Sequence, residues 1–83
     1  MKSWTLYILH CADDTLYTGI TTNLESRIAA HSAGKGAKYT RGRSPLKLAY
    51  SQVFANKSEA SVREHEIKSL SRAEKLALIA AGV

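Results

Sequence analysis

Two short runs rich in β-branched and aromatic residues, Trp4 to His10 and Leu16 to Thr21, are separated by only five residues. That closeness restricts the chain more than any other feature. Side chains of these types suit a pleated strand, and so short a connection cannot hold a parallel crossover, which leaves an antiparallel hairpin. Asp13 and Asp14, just before Thr15, supply the turn, because short carboxylates accept hydrogen bonds from nearby backbone donors. Alternation within the first run is imperfect, so its strand is expected to be covered on much of both faces.

Asn23 then stands where a helix N-cap belongs, able to accept from the first free backbone N–H groups. Leu24 and Ile28, with Ala29 at the margin, form an apolar stripe, and Gly34 ends the helix. Residues 35–45 are glycine-rich and basic and read as a loop. Leu46 to Phe54 reads as a third strand, with Leu48, Tyr50 and Gln52 pointing one way. Ser58 is the expected N-cap of a second helix reaching about Leu70. Ser71 with Glu74 is a capping-box pattern that starts a third helix, whose apolar side is Leu76, Ile79 and Ala80. The expected order is β-β-α-β-α-α, an α+β fold with a small three-stranded antiparallel sheet flanked by helices.

Eighty-three residues leave room for one domain, taken as 1–83, and an apolar fraction of 45% argues against disorder. No apolar run is long enough to cross a membrane, and the N-terminus lacks the apolar core of a secretory signal. Cys11 is the only cysteine, so neither an internal disulfide nor a paired-cysteine metal site is available. These features lead to the expectation of a soluble cytoplasmic protein.

The net charge of +5 is unevenly spread. No acidic residue lies between Glu25 and Glu59, an interval holding Arg27, Lys35, Lys38, Arg41, Arg43, Lys47 and Lys57, while the rest of the chain balances at −2. Segregation of this kind gives a compact fold a positive face, whose natural partner is a polyanion. The stretch from Gly34 to Arg43 adds small residues and one aromatic. Lys35, Lys38, Arg41 and Arg43 can follow a phosphate backbone while Tyr39 stacks on a base or sugar; a plain connector is the alternative.

Four features bear on chemistry. Tyr7 and Tyr17 lie on adjacent strands of the hairpin and can stand side by side across the sheet, either as core residues or as reactive hydroxyls. Gly19, inside a strand, costs stability unless something must approach closely. Arg27 and His31, spaced i, i+4, project from one helix face, where a guanidinium can clamp a phosphate and offset charge developing at phosphorus. Glu64 falls beside the stripe of Ala60 and Ile67. A carboxylate there needs a partner: either Mg²⁺ held largely through waters or a buried ion pair with Arg27.

Together these pieces resemble the GIY-YIG nuclease domain, specifically its small free-standing bacterial members. Thr5-Leu6-Tyr7 and Tyr17-Thr18-Gly19 correspond to the two name-giving halves, with Thr5 where the family has glycine. Asn23 to Arg27 with His31 is similar to the family's Asn-x-x-x-Arg-x-x-x-His helix, and Ala60 to Lys68 is similar to the segment with its metal-binding glutamate. The resemblance runs from about Trp4 to Leu70. It implies an endonuclease using one Mg²⁺ (or Mn²⁺) ion on Glu64. In that scheme a hairpin tyrosine, Tyr7 or Tyr17, orients or deprotonates water, Arg27 stabilises the phosphorus centre, and His31 assists the hydroxyl network.

DNA is the expected substrate, with RNA as the alternative, in repair or recombination. The cleavage is expected to be structure-selective or weakly selective, because 83 residues hold no separate recognition domain. Selectivity would then come from the basic loop or a partner protein, and the chain would act as a monomer or weak homodimer. A nucleic-acid-binding module with little or no turnover is the competing expectation.

Overall fold

The computed structural model describes residues 3–32 and 46–82. They form β1 (Trp4–His10), β2 (Leu16–Thr21), α1 (Leu24–Ser32), β3 (Lys47–Phe54), α2 (Lys57–Lys68) and α3 (Arg72–Ala81). This is the expected order and an α+β fold. All strand pairs are antiparallel, and β1 is central in the order β2-β1-β3.

The run Leu6 to Leu9 is buried without interruption, because the middle strand is covered on both faces. Leu6 and Ile8 face one way and join Tyr50 and Ile67 in the core, with Leu16, Ile20, Phe54, Leu70, Leu78 and Ile79 packed around them. Tyr7 and Leu9 face the other way. The hairpin turn closes through Cys11 N–H to the Thr15 carbonyl at 2.9 Å and Asp14 N–H to the Cys11 carbonyl at 3.0 Å. Asp14 adopts φ +66° there, a left-handed conformation that aspartate tolerates better than most residues. Its carboxylate meets His10 at 2.6 Å and Arg72 at 3.0 Å, tying the turn to the start of α3.

The expected cap of α1 is in place, with Asn23 Oδ1 accepting from Ser26 N–H at 3.1 Å. Three other expectations are corrected. The N-cap of α2 is Asn56 rather than Ser58: Asn56 is extended and its Oδ1 accepts from Glu59 N–H at 2.9 Å, so the helix begins one residue before Ser58. Leu48 and Tyr50 do not share a face. A bulge shifts the register so that Tyr50 lies opposite Ile8 while Leu48 lies opposite Leu9, which inserts one residue and reverses the alternation. In α3 the inward stripe is Lys75, Leu78 and Ile79, with Leu76 and Ala80 exposed. Its capping box is as expected, Ser71 and Glu74 each accepting from the other's backbone.

Candidate active site

Tyr7 stands at the centre of β1 with Gly19 directly opposite on β2. A Cβ built on Gly19 would lie 2.6 Å from the Tyr7 hydroxyl oxygen, 2.8 Å from Cζ and 3.3 Å from a Tyr17 ring carbon. The glycine inside the strand is therefore explained: the Tyr7 phenol occupies the space a side chain would fill. Tyr17 lies opposite Leu9, one diagonal step from Tyr7 on the same face, and the two rings are 6.4 Å apart.

Helix α1 completes the cluster, because Arg27 and His31 share one helical face. The fully buried His31 places Nε2 3.1 Å from the Tyr7 hydroxyl, and Arg27 Nε approaches the same oxygen at 3.4 Å. Guanidinium N–H can only donate, so the hydroxyl accepts from Arg27 and makes its second hydrogen bond with His31 Nε2. Burial, with the nearby Arg27 charge second, holds the His31 pKa below its ordinary 6.5. Burial also raises the Tyr7 pKa, against the lowering effect of the Arg27 hydrogen bond. Tyr7 thus remains a phenol at neutral pH.

Tyr17 differs from Tyr7 in exposure. It is partly open to solvent, whereas Tyr7 is 1% exposed. Its ring lies 5.2 Å from that of His31. The hydrogen bond to Tyr7 raises the Arg27 pKa further against the lowering effect of burial, and Tyr17 adds a smaller push in the same direction.

Glu64 projects from α2 beside buried Ala60 and Ile67, and its side chain is 23% exposed. Its ion-pair partner among the described residues is Lys68 at 3.3 Å, one turn on, rather than Arg27. The carboxylate still contributes, as the smallest cause, to raising the Tyr7 pKa.

The GIY-YIG catalytic domain model matches residues 3–77. The chain belongs to the GIY-YIG family. A UPF0213 protein of the archaeon Natronomonas pharaonis is 63% identical over 75 residues, covering 90% of this chain and 88% of that one. A UPF0213 protein of Staphylococcus haemolyticus is 58% identical, covering 89% and 90%. Among solved structures, the solution NMR structure of a UPF0213 protein from Bacillus halodurans is 47% identical. It gives a TM-score of 0.64 and covers 95% of this chain and 84% of that one. The GIY-YIG superfamily is one of nucleases, and its domain implies nucleic-acid binding.

The GIY-YIG residues Tyr7, Tyr17, Arg27 and His31 are gathered into one hydrogen-bonded and ring-packed group, with Gly19 and Asn23 in the structural places expected of them. No group of three or more His, Cys, Asp or Glu residues able to hold a metal occurs among the described residues. A lone carboxylate nevertheless suits Mg²⁺, which keeps several waters and is commonly held by one or two carboxylates together with substrate phosphate. Glu64, hard, anionic and partly open, fits that requirement. Lys35, Lys38, Tyr39, Arg41 and Arg43 lie outside the described residues. Sequence reasoning missed the Asp14 link between His10 and Arg72, since nothing in the spacing of residues 10, 14 and 72 joins them.

Proposed function

We propose that this protein is a divalent-metal-dependent DNA endonuclease, structure-selective or weakly selective, acting in repair or recombination in the cytoplasm. The observation that carries the reading is the Tyr7 hydroxyl held between Arg27 and His31, beside the half-buried Tyr17. A structural core gives no reason to bury a histidine, a guanidinium edge and a phenol together. The segregated positive charge of residues 26–58 supports a polyanionic substrate.

In this reading Tyr17, the less buried of the two tyrosines, accepts from the attacking water and orients it. Arg27 faces the phosphate and offsets the charge that develops at phosphorus. Tyr7 positions the guanidinium, and neutral His31 holds the Tyr7 hydroxyl. The water oxygen bonds to phosphorus as the bond to the 3′ oxygen breaks; the water gives one proton to solvent and the departing oxygen takes one from solvent, leaving a 5′-phosphate and a 3′-hydroxyl. Glu64 would hold the Mg²⁺ or Mn²⁺ ion, which supplies Lewis-acid polarisation of the phosphate.

The test compares the natural chain with Glu64→Ala on labelled single-stranded, duplex, nicked and branched DNA and on RNA, each with Mg²⁺ and with EDTA. Cleavage is expected only with Mg²⁺ and Glu64 both present, falling at least about a hundredfold otherwise. Equal binding by both proteins with no cutting by either would replace the nuclease by a nucleic-acid-binding module.

A further inference from the structure

Helix α2 carries two ion pairs whose surroundings differ. Arg63 meets Glu66 at 3.6 Å, and the Glu66 side chain is 59% exposed, so water screens that carboxylate whether or not it is paired. Lys68 Nζ lies 3.3 Å from Glu64 Oε2. The two ends of this second pair are unlike. The Lys68 side chain is 54% exposed, while Glu64 is 23% exposed beside buried Ala60 and Ile67. A carboxylate drawn that far out of water needs a cation. Arg27 is not that cation, since its Nε is turned to the Tyr7 hydroxyl. The Glu64 charge is nevertheless felt at Tyr7, which puts the Glu64–Lys68 pair at the border of the tyrosine cluster.

We infer that Lys68 is an exchangeable counter-ion: it holds the Glu64 carboxylate in the free chain, then yields it to the divalent metal and passes to a substrate phosphate. The inference rests on the nuclease reading and deepens it, by tying metal binding to nucleic-acid binding. An ammonium and a divalent ion compete for the same carboxylate oxygens and repel each other, so Lys68 lowers the metal affinity of the free chain. Glu followed four residues on by Lys is the favourable order on a helix, which gives the competition weight. Exposure of the ammonium keeps the pair breakable. Once released, Lys68 offers three donors on a flexible four-carbon stem, a group suited to phosphate. A phosphate that takes Lys68 leaves Glu64 to the metal, and a metal on Glu64 leaves Lys68 to the phosphate. Each therefore tightens the binding of the other by the same factor.

The experiment titrates Mn²⁺ into the chain without nucleic acid and reads the free ion by electron paramagnetic resonance. Lys68→Met, which keeps an unbranched stem and removes the charge, is expected to bind Mn²⁺ about threefold more tightly than the natural chain. Lys68→Arg, which keeps the charge, should retain the natural affinity. Arg63→Met removes an equal charge from the same helix and frees the exposed Glu66 instead. It should leave the affinity unchanged, which separates exchange at Glu64 from net charge. Binding of labelled duplex DNA, read by fluorescence anisotropy, should weaken about threefold for Lys68→Met with Ca²⁺ present and stay nearly level with EDTA. Unfolding curves verify that the variants fold. No tightening by Lys68→Met, equal tightening by Arg63→Met, or a DNA-binding loss indifferent to the metal would overturn the exchange, while the cleavage assay still judged the nuclease reading. A Mn²⁺ affinity untouched by Glu64→Gln would remove the metal site and the exchange with it.

Discussion

The two tyrosines of the hairpin differ by burial, and that difference separates what each hydroxyl contributes. Removing the Tyr7 hydroxyl strips His31 Nε2 and Arg27 Nε of a shared partner inside the fold. Tyr7→Phe is therefore expected to cost about 1–3 kcal/mol of stability, while Tyr17→Phe, at a half-open position, should cost under about 1 kcal/mol. Both should lower cleavage by about a hundredfold or more. Thermal unfolding alongside cleavage rates checks the contrast. His31 also makes a pH prediction. Its folded pKa lies below the ordinary 6.5, so the unfolded chain takes up a proton that the folded chain resists. The stability it contributes is complete above pH 6.5 and is lost as pH falls through the lower folded value. Melting temperatures between pH 7 and 5 should fall less steeply for His31→Gln than for the natural chain. The pairing of the tyrosines was legible from their places on one hairpin. Their division into buried and open was not, because it depends on where α1 docks.

At the scale of elements, the strands and helices follow from local signals, and the misreadings share one cause. Asn56 and Ser58 are both good cap residues, and the sequence marks only a neighbourhood. The decisive signal was the spacing of Asn56 to Glu59, whose backbone N–H the asparagine accepts. Asn56→Ala is expected to lower stability by about 1 kcal/mol, whereas Ser58→Ala should leave it nearly unchanged; chemical denaturation of the two variants decides between them. The bulge in β3 could not be read from alternation, since Leu48, Tyr50 and Gln52 keep period two on paper while one residue is slipped in space. The inward face of α3 was misjudged for a related reason. Lys75 is half-buried while Leu76 is exposed, a place that a long aliphatic stem suits, and a count of apolar letters overlooks it.

At the scale of the whole molecule, stability is graded. β1 has both neighbours and four consecutive buried residues, whereas α3 has no fully buried residue and is tied at its start by Arg72 to Asp14. The His10 hydrogen bond and then the Arg72 charge hold the Asp14 carboxyl below its ordinary pKa, yet all three groups are solvated and such pairs are individually weak. Hydrogen exchange should accordingly find the amides of α3 opening well before those of β1. Comparable protection in both would mean that α3 is integral to the core. The elements of the site, Tyr7, Tyr17, Arg27, His31 and Glu64, are not at the weak end. They sit on β1, β2, α1 and α2.

The vacancy at Gly19 makes positions 7 and 19 a single shared volume, and a lineage cannot alter one without answering at the other. A methyl group at position 19 would evict the aromatic ring, and only a smaller aliphatic at position 7 would restore a well-filled interior. The compensated pair would fold and lack the phenol. Drift at the glycine is thus a legible scar: in a chain of this shape, a side chain at position 19 announces a domain that has kept its architecture and lost the phenol at position 7.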